Sequence, residues 1–193
     1  MILSNVISDA VLACTGIGVF WHYHQQTPIF NRLLWGFFFL LISLTALVGI
    51  FRFAGFDGVI RLHESAQLLA GSLGVVCVVM AVWALVRRVS LGIIAFAVSL
   101  IIGLFLFFIL LLPQVAPFAK VVASLGILIV MLLGVYGLLQ RDIRSVWIIA
   151  AVMIMALATK TPSLPRPINP VDFYHYALVC ALLCFGKATQ RIE

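Results

Sequence analysis

Charge is what this sequence has least of. Only 9% of its 193 residues are Asp, Glu, Lys or Arg, whereas a soluble domain carries about 25%. So few charges cannot cover a surface that faces water. With 65% hydrophobic residues and a mean hydropathy of +1.26, the apolar surface is expected to face lipid. No polar stretch is long enough to form a second unit, so residues 1–193 read as a single integral membrane domain.

Other absences narrow the field further. The first 31 residues contain no Lys or Arg. A cleavable leader would need a basic start and an uninterrupted apolar core, and Asp9 breaks that core; the segment is expected to remain as a first helix. No basic stripe interleaves with aromatics, so nucleic acid is not an expected partner despite a net charge of +6. Membrane lipids are the expected partners, with other membrane proteins or a second copy of the chain as further candidates. The four cysteines, Cys14, Cys77, Cys180 and Cys184, all lie within apolar runs, where Cys packs as a small hydrophobe. The last helix has no Lys at mid-depth, which argues against a retinal Schiff base. Inverted repeats with broken mid-membrane helices, expected of a transporter, are not evident.

What is present is a succession of apolar runs. A spanning helix needs roughly 20 mostly apolar residues, and seven segments fit: about 3–21, 33–53, 64–86, 90–112, 119–139, 143–160 and 171–188. Their lack of alternation excludes a membrane barrel. The fold expected is therefore all-α, a polytopic bundle of about seven transmembrane helices. Thr27-Pro28 and Asn31-Arg32 are expected to separate the first two helices, and the proline-rich 161–170 segment the last two. One side collects Arg32, Arg87, Arg88, Arg141, Arg144, Lys187 and Arg191; the other has Arg52, Arg61, Lys120, Lys160 and Arg166. Seven against five places the C-terminus in the cytosol and the N-terminus outside, in a bacterial-type inner membrane.

Threading seven spans back and forth brings most ionisable residues to one membrane level. Asp9 follows Asn5 by four residues on one helical face. A carboxylate there should face the bundle, because lipid exposure would cost several kcal/mol. At the start of the last helix, Asn169 reads as an N-cap, Pro170 as the first helical residue and Asp172 as a first-turn acid. His175, one turn deeper, has no capping role, and a carboxylate beside an imidazole can fix its tautomer for metal ligation or proton transfer. His63 heads the third helix with Gln67 on the same face. If helices one, three and seven meet, Asp9, His63, Asp172 and His175 converge. His63 and His175 are then candidate zinc ligands, with Asp9 and Asp172 as candidate third ligand or catalytic base.

Seven helices in about 200 residues, an Asp early in helix one and an Asp-x-x-His opening the last helix resemble the alkaline ceramidase and adiponectin-receptor superfamily. Small bacterial members look most similar. The resemblance implies a zinc ion held by a His near the end of helix two and two His in helix seven, and hydrolysis of lipid amides and related bonds. His175 matches a seventh-helix ligand; position 179 is Val, and helix two has Ser43 but no His, leaving His63 as the substitute. Three functions follow as expectations. The first is a non-enzymatic binding, assembly or sensor protein on a hydrolase-like frame. The others are a metal-dependent lipid hydrolase and a small transporter or proton pathway.

Overall fold

The computed structural model describes residues 3–23, 27–159 and 169–190. His24, Lys160, Arg166, Arg191 and all of the proline-rich segment but Asn169 and Pro170 lie outside that set. The described residues are all-helical. In order come α1 (Leu3–Tyr23), α2 (Ile29–Phe53), α3 (Ile60–Leu69), α4 (Val75–Arg87), α5 (Ile93–Leu110), α6 (Ala119–Leu139), α7 (Arg144–Ala158) and α8 (Pro170–Thr189). A 3-10 turn at Asp57–Val59 leads into α3, and a π turn at Ala70–Gly74 joins α3 to α4, so Asp57–Arg87 is one continuous rod. Six of these rods are long and apolar enough to cross a membrane; α7, with 15 residues, is shorter.

The rods form a ring. α1 packs on α2, α2 on the α3–α4 rod, α4 on α6, α6 on α7, α7 on α8, and α8 back on α1. α5 lies outside it, against the α3–α4 rod and α2. The sequence explains the difference. α1 buries Asn5, Ser8, Asp9, Leu12, Ala13, Gly16 and Val19, a three-four spacing that makes one continuous stripe. α5 buries only Ser99, Gly103 and Leu110, and its other faces are uniformly apolar, as lipid contact requires. Gly103 is the point of closest approach, since a Cβ there would strike the backbone of Leu73 in the π turn. In lipid, such close packing replaces the hydrophobic effect as the force between helices.

Two boundaries differ from the sequence expectation. Asn31 and Arg32 do not separate helices one and two; they lie in the first turns of α2, which Pro28 precedes as N-cap. Asn31 is buried because its amide donates to the Val89 carbonyl at 2.8 Å and its oxygen accepts from the Leu91 amide at 2.8 Å. It thus satisfies the α4–α5 loop from a neighbouring helix. The third span also begins earlier than residue 64, because Asp57 and Gly58 start a helical turn.

With the start of α1 taken as the top, α1, α3 and α8 all begin there. The lower half of the α2–α8 interface is aromatic: Trp35 stacks on Phe39 at 5.6 Å and Phe38 meets Phe185 edge-on at 5.3 Å. These buried rings form an aromatic plug below the polar groups.

Candidate functional site

The top of the bundle holds a polar network built mainly from α1 and α8. Asn169 caps α8, its side-chain oxygen accepting from the Val171 amide at 3.0 Å. The same side chain donates to Asn5 Oδ1 at 2.7 Å, so the cap that starts α8 also clasps it to α1. Deeper by one turn, Ser8 is fully buried. Its hydroxyl lies 2.8 Å from Asp172 Oδ1, 2.9 Å from His175 Nδ1 and 3.1 Å from the Asn5 carbonyl.

A hydroxyl has one proton to give. The Asp172 carboxylate, at the shortest distance, is the strongest acceptor of the three. Ser8 Oγ then accepts from Nδ1–H of His175. This leaves the Nε2 lone pair of His175 facing Asp9 Oδ1 at 3.4 Å. Two acceptors cannot face one another without a proton between them. One proton shared across this contact would make the Asp9–His175 pair net neutral. Asp9 is 1% exposed, facing the bundle as its cost in lipid demands. Its Oδ2 has no hydrogen-bond partner and packs against Gly49 of α2, where a Cβ would collide with the carboxylate.

His63, from α3, is buried on the other side. Gln67 Nε2 lies 3.1 Å from His63 Nε2. An amide NH₂ only donates, so that ring nitrogen accepts and the His63 proton sits on Nδ1. Nδ1 makes no well-formed hydrogen bond and has the Thr45 backbone as its polar neighbour.

Asp9, His63 and His175 line one cavity of about 290 Å³, with Thr45, Gln67 and Tyr174 as further polar groups and apolar side chains for the rest. Ala70 and Gly71 of the π turn form part of the wall. π turns recur at functional sites, and here the wider turn offsets the drift of a four-residue spacing, so 63, 67, 71 and 75 all stay on the wall. A second cavity of about 420 Å³ between α6, α7 and α8 shares Ala123, Ile127, Met155, Tyr174 and Leu178 with the first.

The four residues singled out from sequence thus sit at one level, but in two shells. Asp9, His63 and His175 line the cavity; Asp172 does not, and stands behind with its carboxyl hydrogen-bonded to Ser8. Sequence reading passed over Ser8, although it falls on the 5, 8, 9, 12 stripe of α1. Among the described residues, no group of three or more His, Cys, Asp or Glu is placed to hold a metal ion. His175 contacts protein groups through both ring nitrogens and His63 through Nε2.

Fold and cavity together define an all-helical, multi-pass membrane protein in which Asp9, His63 and His175 line one cavity near the top of the bundle. The chain belongs to a family of unknown function (DUF6962), whose profile matches residues 4–193. No curated protein and no solved structure matches it.

Proposed function

We propose that this protein is a non-enzymatic binding or sensor protein of the bacterial inner membrane, whose ligand is an amphipathic molecule seated in the chamber at the top of the bundle. The observation that carries this reading is the shared cavity. Ionisable side chains from α1, α3 and α8 line it together with Thr45, Gln67 and Tyr174, and apolar groups make up the rest of the wall. Small-molecule sites are typically apolar clefts of about 300–1,000 Å³ with a few convergent polar groups. The first cavity supplies the polar groups, and the adjoining one between α6, α7 and α8 offers apolar room. A net-neutral Asp9–His175 pair favours a hydrogen-bonding ligand head, such as a hydroxyl, over a strongly charged one.

Binding is favoured over hydrolysis by a serine nucleophile because Ser8, the only hydroxyl bonded to His175 among the described residues, is enclosed between helices and absent from the cavity wall. A proton pathway is less well supported, because the aromatic plug lies below the polar cluster. Seven crossings would return the chain to the level where α1 begins, where Asn169 clasps Asn5; the outward N-terminus rests on the Lys and Arg distribution alone. After five crossings through α6 the chain is at the bottom, so α7 has to carry it back.

The test uses full-length protein in nanodiscs, with dodecanol as probe and dodecane as control. Dodecanol at 100 times its Kd should stabilise the fold by about 2.7 kcal/mol, read as a rise in Tm. Gly71→Leu fills the cavity, since a Cβ at Gly71 meets only Ala123 at an ordinary 3.8 Å, and should abolish the rise. Equal effects of dodecanol and dodecane, or an undiminished rise in Gly71→Leu, would overturn the proposal.

A further inference from the structure

We propose a second, separate site at the bottom of the bundle: a groove between α4, α5 and α6 that holds an anionic phospholipid, its acyl chain along the groove and its phosphate at Arg87 and Arg88. Two cavities make up this site. The first is an apolar groove of about 760 Å³ whose walls include Met80 of α4, Ala95 of α5 and Ile129 of α6. The second, of about 280 Å³, is polar and is lined by Arg87, Arg88, Tyr136, Gln140 and Asp142 with Val86. Helical periodicity aligns them. Arg87 lies seven residues after Met80, and Tyr136 seven after Ile129, so on both helices the polar pocket continues the face that lines the groove.

The charge in the pocket suits a phosphate. Asp142 is already taken by Arg144, through two contacts to Oδ1 and Oδ2 at 2.9 and 2.5 Å. Arg88 is 71% exposed and stands 3.9 Å from Asp142. Arg87 donates to the Tyr136 hydroxyl at 3.1 Å, which sets its guanidinium at the pocket mouth with most of its donors uncommitted among the described hydrogen bonds. A third feature adds to these. α5 begins beside the groove with Gly92 as N-cap and no side-chain capping bond, so its first-turn N–H groups add positive potential. Basic pockets between membrane helices at a headgroup level are where anionic lipids are recognised. A zwitterionic lipid would bring its own cation to two arginines and bind less well.

The experiment is native mass spectrometry of the full-length protein in mild detergent, titrated with equal amounts of phosphatidylglycerol and phosphatidylcholine. Phosphatidylglycerol should be retained roughly tenfold more, from two arginines acting on one headgroup. Arg87→Gln and Arg88→Gln should each lower that preference several-fold, and both arginines are exposed, so folding should survive. Ala95→Phe should reduce retention of both lipids by blocking the groove, while Arg32→Gln, on a different helix at the same end, should leave the preference intact. Equal retention of the two lipids, a preference unchanged by the Arg87 and Arg88 variants, or one equally lost in Arg32→Gln would overturn the site. Displacement of phosphatidylglycerol by millimolar inorganic phosphate alone would show that free phosphate, not lipid, is the occupant.

Discussion

The two ends of the bundle treat buried carboxylates in opposite ways. At the bottom, Asp142 is 4% exposed yet fully committed. It accepts from the Arg144 backbone at 3.1 Å and from its guanidinium through both carboxylate oxygens, while Arg144 also reaches the Leu85 carbonyl at the end of α4. Asp142 thus holds the first amide of α7, and Arg144 ties that turn to α4. At the top, Asp9 faces a single imidazole across 3.4 Å, with its second oxygen unpartnered. Saturated hydrogen bonding makes a rivet; a carboxylate left half-satisfied beside a cavity makes a place for something else. A polar group left unpaired in a buried site costs on the order of 1–3 kcal/mol, and a bound ligand or water could recover it.

The sharpest break of this contrast is Asp142→Ala. Removing one partner of a well-bonded pair leaves the Arg144 cation, 20% exposed, uncompensated, and the loss should be about 3 kcal/mol, measured as a fall in Tm in detergent. At the top, Ser8→Ala should cost about 2 kcal/mol, because Asp172 and His175 each lose a buried partner; it should also weaken dodecanol binding by releasing the His175 ring. A loss at Ser8 exceeding that at Asp142 would reverse the assignment of rivet and receptor. Gly49→Ala should cost about 1–2 kcal/mol by overpacking against Asp9, with dodecanol affinity falling in parallel as the carboxylate is displaced.

The smallest effect is a pH dependence. Burial alone would raise the pKa of Asp142, but the hydrogen bonds and charge of Arg144, with help from Arg88, outweigh it and hold the carboxyl below its ordinary value. A carboxyl lowered by folding stabilises the native state at pH above its unfolded value, about 3.9. That contribution fades as pH falls through the folded value. Tm should therefore be level in this respect near neutrality and drop below about pH 4, and Asp142→Asn should flatten that part of the curve.

Much of this was legible in the residues. Apolar runs of spanning length, separated by Thr27-Pro28 and by the proline-rich 161–170 segment, lead to the all-helical fold, because lipid admits no other use of so little charge. Asp9 had to face inward on cost alone, and Asn169-Pro170 announced the start of α8 through capping chemistry. Asn31 misled, since a polar residue near a proline reads as loop until the loop that it satisfies, 58 residues further on, is brought beside it. Ser8 stayed silent for a related reason: a hydroxyl is cheap to bury and carries no signal until its partners arrive.

The feature that sequence could not supply was the division of the four candidates into a cavity group and a supporting one. Spacing along a helix fixes which side chains share a face. It does not fix how three helices rotate about their own axes when they meet. That rotation brought His63 and His175 to one cavity, left Asp172 behind Ser8, and set Asp9 beside the imidazole. The sequence determined that these ionisable groups would be buried at one level, through the cost of charge in lipid; only the tertiary arrangement, with α1 packed on α8 and α3 reaching the same cavity from α2, decided which of them would face one another.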